Sequence, residues 1–128
     1  RQMCIRDRLG LTPWVKFLGT RGDVAELLQA MDVFLFPSLF EGLSVASIEA
    51  QAAGLPVLIS DSVPIECRKT DLVHVLPLSA PPEEWADSVL ELVKIPRRNT
   101  YEEIRGAGFD VVENAKWLQA FYLQAAQR

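Results

Sequence analysis

The sequence is poor in the residues that build metal sites and disulfide frameworks. Among 128 residues there are two cysteines, Cys4 and Cys67, and a single histidine, His74. The cysteines lie far apart without CxxC spacing, and His74 has no partner histidine. This pattern argues against a zinc site or a disulfide scaffold. A reducing compartment fits best. We therefore expect a cytoplasmic protein, with a location at the inner face of the membrane as the alternative.

Excess positive charge and long apolar runs are also absent. Thirteen basic against seventeen acidic residues give a net charge of −4, which argues against binding nucleic acid through general positive charge. No apolar run reaches the ~18 residues that cross a bilayer. Two prolines and two acids interrupt the most hydrophobic region: Pro37, Glu41, Glu49 and Pro56. The opening RQMCIRDRLG carries charges and lacks the apolar segment of a signal peptide.

The composition is that of a folded globular domain. Hydrophobic residues make up 49% and charged residues 23% of the chain. This length gives room for one domain of ordinary size and not for two.

Short apolar runs alternate with segments of helical periodicity. The runs predict four strands, at 15–18, 33–36, 56–60 and 72–76. The periodic segments predict a helix capped by Asp23 and further helices at 43–53, 82–95, 100–107 and 110–126, with a loop at 61–71. Because the strands are continuously apolar rather than alternating, they are typical of a parallel sheet covered on both faces. We therefore predict an α/β fold.

Glu49 stands alone in an apolar stretch. It is the only charged residue between Gly42 and Ser60. At 100° per residue, Glu49 shares a stripe with Val45 and Ile48, and the opposite side of the helix offers only alanine. A lone carboxylate there is costly unless hydrogen bonds meet its charge or it points into a cleft. The pattern predicts a partner for Glu49.

A second acid, Glu41, lies where the second predicted strand gives way to the next helix. The carboxyl end of a parallel strand is where ligands bind. The backbone N–H groups of Leu43, Ser44 and Val45 would form an anion site at the helix start, and Gly42 would allow a close approach to the main chain. This layout suits a nucleotide-sugar. In the alternative interpretation the acids only reach solvent and the glycine only makes a turn, and spacing alone favours neither.

Residues 15–61, VKFLGTRGDVAELLQAMDVFLFPSLFEGLSVASIEAQAAGLPVLISD, resemble the donor half of retaining glycosyltransferases of family 4, which have the GT-B fold. Glu41 and Glu49 match the two acids of the family's E-x7-E motif. FLG, DVFLFPS, EG and EAQAAGLPV at these intervals are far more specific than a lone glycine-rich loop. The segment is similar in particular to the bacterial members that build exopolysaccharide or capsule.

The resemblance implies a role for each matched acid and for the helix start. Glu41 would contact hydroxyls of the donor sugar and orient its anomeric carbon, and Glu49 would hydrogen-bond the ribose hydroxyls. The amides of Leu43, Ser44 and Val45, reached past the adjacent glycine, would hold the diphosphate.

The resemblance also implies the donor and the rest of its site. The loop at Gly19 and Thr20 would lie against the base of a nucleoside-diphosphate-sugar, with UDP slightly favoured over GDP and ADP. The implied activity is of the hexosyltransferase type, and no cofactor or metal is implied.

Parts of the resembled enzymes are missing from this sequence. These enzymes have an N-terminal acceptor domain and, before the matched region, a strand–loop–helix segment that grips the diphosphate. We therefore expect residues 1–128 to be an incomplete, Rossmann-like donor domain without its first two strands, and inactive alone. Residues 15–76 would form its α/β core, and 82–128 a helical cover or arm.

Two other functions remain open at this point, and several polar residues have plain interpretations. The chain could be a non-catalytic α/β nucleotide-binding or interaction module, or part of an epimerase or phosphorylase on the same fold. His74 is interpreted as a packed or edge histidine and Cys67 as an ordinary loop thiol. Arg97 and Arg98 are expected in a solvated loop.

Overall fold

Three short parallel strands form the sheet. In the computed structural model, which describes residues 2–126, β1 is Phe34–Phe36, β2 is Val57–Ser60 and β3 is Val73–Leu76. The strand order is β1-β2-β3, and both neighbouring pairs are parallel. Three of the four predicted strands are therefore present, and the predicted α/β class is confirmed.

Six α-helices accompany this sheet in the described residues, and α1 and α6 bury none of their side chains. They are α1 Gln2–Arg8, α2 Val24–Ala30, α3 Val45–Ala52, α4 Pro82–Leu92, α5 Tyr101–Gly106 and α6 Val111–Ala125. Every predicted helix is found, with shifted ends, and the predicted loop 61–71 contains a 3-10 turn, Ile65–Cys67. The last two positions of the predicted arm, 127–128, lie outside the described residues.

The helix caps follow the sequence in one case and not in another. The Asp110 carboxylate caps α6 by accepting from the amides of Val112 and Glu113, and these bonds hold its pKa below the ordinary value. Asp23, which was predicted to cap α2, makes no such bond. Its carboxylate instead accepts from the Arg21 Nε at 2.7 Å, because an adjacent guanidinium offers a charged donor.

The strand predicted at 15–18 is not formed. A strand needs a neighbour to satisfy its N–H and C=O groups. The sheet ends at β1, and no described segment pairs with 15–18. Phe17 and Leu18 are exposed, and the Phe17 ring lies 5.3 Å from the Arg6 guanidinium carbon. Residues 15–18 are mostly apolar, as a buried strand requires. A strand forms, however, only where a second strand pairs with it, and no described segment does so here.

Helices cover both faces of the sheet. On one face, α2 and α3 pack through Leu28 and Ala50 onto Val57 and Ile59 of β2. The other face carries Leu35, Leu58 and His74 side by side. There α4 borders a groove of about 480 Å³ over β2 and β3, lined by Leu58, His74, Glu84, Asp87, Glu91 and Leu92 among others. His74 is half-buried, as expected for an edge histidine.

A buried glutamine anchors α3 to the loop that follows β2. The Gln51 Nε2 donates to the carbonyls of Ser47 (3.0 Å) and Cys67 (2.8 Å). Its Oε1 accepts from the amides of Lys69 (2.8 Å) and Thr70 (3.0 Å). Gln51 is fully buried, and all of its hydrogen-bonding capacity is used.

No helix in residues 2–126 is long and apolar enough to cross a membrane.

Gly54 ends α3 in a place where no side chain fits. It has a φ of +73°, and an added Cβ would overlap the carbonyl oxygen of Arg98. We predict that Gly54→Ala lowers the free energy of unfolding by roughly 3 kcal/mol or more. The overlap with the Arg98 carbonyl adds to the energetic cost of placing alanine in a left-handed backbone conformation. Urea denaturation followed by circular dichroism measures this loss.

Gly108→Ala is the matched control. Gly108 also has a positive φ, +86°, but open space surrounds its Cα. This variant should lose only about 1–2 kcal/mol. Equal losses in the two variants would show that the contact with Arg98 is unimportant.

Candidate functional site

The loop between β1 and α3 places Glu41 at the carboxyl edge of the sheet. The Ser60 hydroxyl, at the end of β2, donates to the carbonyl of Ser38 at 2.5 Å. The Ser38 hydroxyl in turn lies 2.8 Å from the Glu41 Oε1 and donates to it. Glu41 is half-buried. Its carboxylate is therefore oriented by a loop that is itself tied to the neighbouring strand.

The thiol of Cys67 holds the turn that follows Glu41. The amide of Ser44 donates to the Cys67 Sγ at 3.2 Å, and the Sγ donates to the carbonyl of Gly42 at 3.7 Å. Cys67 is fully buried. Cys67 lies in a loop, as interpreted from the sequence, but its thiol is buried because the 3-10 turn directs the side chain inward beneath the site. The only sequence signal was the general tendency of free cysteine to be buried.

The start of α3 differs from the predicted set of three open amides. The N–H of Ser44 is used by Cys67, and the Ser44 hydroxyl caps the helix by accepting from the Ser47 amide at 3.4 Å. The amides of Leu43 and Val45 have no hydrogen-bond partner among residues 2–126. Two of the three predicted amides are thus available to an anion, and the third is not.

Open space lies beside this turn. Nothing stands within 4 Å of a Cβ built on Gly42, which agrees with room for a close approach. A hollow of about 350 Å³ next to it is lined by Gly42, Leu43, Pro64 and Glu66. The Glu66 carboxylate is exposed, so the hollow has a negative side as well as the N–H groups at the helix start.

Glu49 lies on the outer face of α3. The buried face of this helix is made of Ser47, Ile48, Ala50 and Gln51, and the exposed face of Val45, Ala46, Glu49 and Ala52. The predicted need for a partner rested on apolar surroundings, and it falls away because the Glu49 side chain is exposed. Ser47 and Gln51 face inward because their hydrogen bonds are satisfied there. The Glu49 carboxylate, on the opposite side of the helix, is therefore exposed.

A groove between α2 and α3 runs beside Glu49. It measures about 270 Å³ and is lined by Ala25, Leu28, Gln29, Glu49, Ala52 and Ala53. Glu49 is the sole charged group of this lining, and the remaining surface is mostly apolar. Such a groove offers an apolar lining and one carboxylate acceptor for hydroxyl donors.

Gly19 and Thr20 are not brought to the two acids. Both are exposed, and no hydrogen bond joins either residue to the loop or to α3 in the described part of the chain. Gly19 makes a turn at φ +68°. With no strand at 15–18, the sheet does not fix this loop at its carboxyl edge. The predicted contact with a base therefore remains a prediction. No group of three possible metal ligands occurs among residues 2–126.

The fold and site define an α/β domain with a candidate ligand site at the carboxyl edge of a parallel sheet. The family described as "Glycosyl transferases group 1" matches residues 1–94, which is more than half of the chain. The chain belongs to this family of glycosyl transferases.

Curated relatives carry the same assignment in their names. EpsF of Bacillus subtilis (strain 168), named as a glycosyltransferase, is 40% identical in an alignment of 115 residues that covers 84% of this chain and 29% of EpsF. The "UDP-Gal:alpha-D-GlcNAc-diphosphoundecaprenol alpha-1,3-galactosyltransferase" of Escherichia coli is 50% identical over 44 residues, 34% of this chain and 11% of that protein.

A third relative is named for a lipid-linked substrate too. The "N,N'-diacetylbacillosaminyl-diphospho-undecaprenol alpha-1,3-N-acetylgalactosaminyltransferase" of Campylobacter jejuni is 47% identical over 47 residues, 37% of this chain and 12% of that protein. The chain thus spans less than a third of the length of each of these three relatives.

Removing the Cys67 thiol should weaken the turn beside Glu41. We predict that Cys67→Val lowers the free energy of unfolding by about 1–3 kcal/mol, because the buried amide of Ser44 loses its acceptor. Cys4→Val is the control, because Cys4 is exposed on α1, and it should stay within about 0.5 kcal/mol. Urea denaturation compares the two.

Thiol labelling checks the burial directly. In the folded protein, iodoacetamide should label Cys4 and spare Cys67, as read by peptide mass spectrometry. Equal labelling of both cysteines under native conditions would contradict the structural role of Cys67.

Proposed function

We propose that this chain is the donor-binding part of a retaining glycosyltransferase of family 4 with the GT-B fold. It moves a hexose-type sugar from a nucleoside-diphosphate-sugar to a glycan or lipid-linked acceptor in polysaccharide biosynthesis. The observation that carries the proposal is the placement of Glu41 at the carboxyl edge of β1, eight positions before the exposed Glu49 on α3.

In this proposal the sugar meets Glu41. The Ser38 hydroxyl uses one carboxylate oxygen of Glu41, at 2.8 Å, and thereby limits the directions in which the other oxygen can point. A carboxylate oriented in advance accepts hydrogen bonds from sugar hydroxyls without first paying for reorganisation. Its role is to place the anomeric carbon relative to the diphosphate.

The diphosphate lies at the start of α3 in this proposal. The unpartnered amides of Leu43 and Val45 and the positive end of the helix dipole face this region. Charge on the leaving diphosphate grows in the transition state, so donors there lower the barrier more than they strengthen binding of the ground state. The amide of Ser44 contributes indirectly, because its bond to Cys67 holds the turn in place.

The nucleoside lies along α3 toward Glu49. Ribose hydroxyls are donors that suit an exposed carboxylate, and the apolar walls of the groove beside Glu49 suit a flat ring. The Escherichia coli relative is named for UDP-Gal and for a diphosphoundecaprenol-linked GlcNAc. These words support UDP as the nucleotide and a lipid-linked saccharide as the acceptor.

Charge-neutral variants of Glu41 and Glu49 test the proposal. They are made in the full-length protein that the gene encodes. Glu41→Gln should lower kcat by about 10²–10³, because its contact is strongest in the transition state. Glu49→Gln should raise the donor KM about tenfold with a smaller effect on kcat, because the ribose contact is made equally before and during the reaction. The control is Glu102→Gln, since Glu102 is exposed on α5 and lines neither the groove beside Glu49 nor the hollow beside Gly42.

The assay uses UDP-galactose, UDP-glucose and UDP-N-acetylgalactosamine with a diphosphoundecaprenol-linked N-acetylglucosamine acceptor. Mass spectrometry detects the product, and NMR reports the configuration at the anomeric carbon. Inversion at that carbon would exclude the retaining assignment. Nucleotide binding that needs Glu49, without transfer to any acceptor, would favour the non-catalytic module instead.

A further inference from the structure

Arg97, in the loop between α4 and α5, joins the ends of two helices. One terminal nitrogen, Nη1, donates to the carbonyl of Ala53 (2.7 Å) and to the Gln29 Oε1 (3.0 Å). The other, Nη2, donates to the carbonyls of Met31 (2.6 Å) and Leu28 (3.0 Å). All four N–H bonds of the two terminal nitrogens are used. Arg97 lies in an exposed loop, as expected, and the structure adds that its guanidinium is bound to two helix ends.

The three backbone acceptors of Arg97 share one electrostatic property. The carbonyls of Leu28 and Met31 belong to the C-terminal end of α2, and that of Ala53 to the C-terminal end of α3. Helix C-termini carry partial negative charge and unpaired carbonyls, so a cation is favourable there. The planar fork of a guanidinium can reach two helix ends at once, whereas the single ammonium of lysine cannot.

The same contacts surround the groove beside Glu49. Leu28, Gln29 and Ala53 accept hydrogen bonds from Arg97, and all three line this groove. Ala53 follows Glu49 by one helical turn, so Arg97 holds α3 at the end nearest to that carboxylate. A shift of this end against α2 changes both the width of the groove and the direction of Glu49.

Thr100 and Arg98, which are close to Arg97 in the sequence, make contacts of a different kind. The Thr100 hydroxyl donates to the carbonyl of Gln51 at 2.6 Å and so ties the loop to α3 alone. The Arg98 side chain forms ion pairs with Asp71 and Glu103 and lowers the pKa of Glu103. Arg97 is thus the residue of this segment whose side chain joins α2 to α3.

We propose that Arg97 is a positioning residue that sets the angle between the ends of α2 and α3, so that Glu49 meets the ribose hydroxyls of the donor nucleotide. This inference rests on the proposed function, because it takes the nucleoside as the occupant of the groove. It assigns to Arg97 an effect on ribose recognition and no contact with the reacting atoms.

Nucleotide binding by the polypeptide as its gene encodes it tests the role of Arg97. UDP, GDP and ADP are titrated by calorimetry, and the nucleotide that binds most tightly is compared with its 2′,3′-dideoxy analogue. Arg97→Ala should weaken binding of the normal nucleotide about tenfold or more, because small misplacements cost large factors. It should leave binding of the dideoxy analogue nearly unchanged, since that analogue offers Glu49 no hydroxyls.

Arg98→Ala is the matched control, because it removes an adjacent arginine with its own ion pairs. It should change binding of either nucleotide less than twofold. In the double variant Arg97→Ala/Glu49→Gln, binding should be no weaker than in Glu49→Gln alone, because Arg97 acts through that carboxylate. Circular dichroism melts establish that each variant is folded.

Two milder variants carry the test if Arg97→Ala does not fold. Arg97→Lys keeps the charge, and Gln29→Leu removes one of the four acceptors. Each should show a smaller, still ribose-dependent loss of binding.

The outcomes separate this inference from the proposed function. If the unaltered protein binds none of the three nucleotides, the proposed function fails, and the role of Arg97 fails with it. If Glu49→Gln weakens nucleotide binding but Arg97→Ala behaves like Arg98→Ala, only the positioning role is wrong. Equal losses for the normal and dideoxy nucleotides in Arg97→Ala would also overturn it, because they would indicate general damage to the fold.

Discussion

The buried amide of Gln51 is the interaction on which the arrangement of the site depends. It ties the inner face of α3 to the loop at residues 67–70 with three hydrogen bonds to the main chain. The same loop supplies Cys67, whose thiol holds the turn between Glu41 and α3. Because these polar groups are satisfied inside, the opposite face of α3 points outward and carries Glu49 there. The hydrogen bonds that orient the helix are therefore also the reason why Glu49 is exposed.

The helix α3 is held at both ends. The Cys67 thiol binds the amide of Ser44 before the first turn. At the last turn Gln51 binds the loop at 67–70, and Thr100 and Arg97 bind carbonyls there. Residues placed on a rigid element keep a defined geometry toward a ligand, whereas a freely moving helix would lose affinity to conformational entropy. Glu41 is held differently: the Ser60 hydroxyl anchors its loop to β2, and the Ser38 hydroxyl then orients its carboxylate.

Local patterns predicted the elements well where an element depends on its own residues. The strands at 34–36, 57–60 and 73–76 and the helices were expected from apolar runs and helical spacing. The strand at 15–18 was wrong because pairing needs a partner outside the segment. The buried face of α3 was also missed. Its alanines give no strong apolar stripe, and the decision fell to Gln51, whose partners lie in the loop after β2, while Ser47 bonds back to the carbonyl of Ser44 in its own helix.

Periodicity and motif intervals are properties of nearby residues, and they were enough to predict the α/β class, the family and the spacing of Glu41 and Glu49. The burial of one face of α3, the burial of Cys67 beneath the site and the contacts of Arg97 with two helix ends became visible in the folded chain. The hydrogen bonds responsible span between 16 and 69 positions of the chain. Such pairs leave no trace in local periodicity, since burial and hydrogen-bond geometry arise only when distant segments pack together.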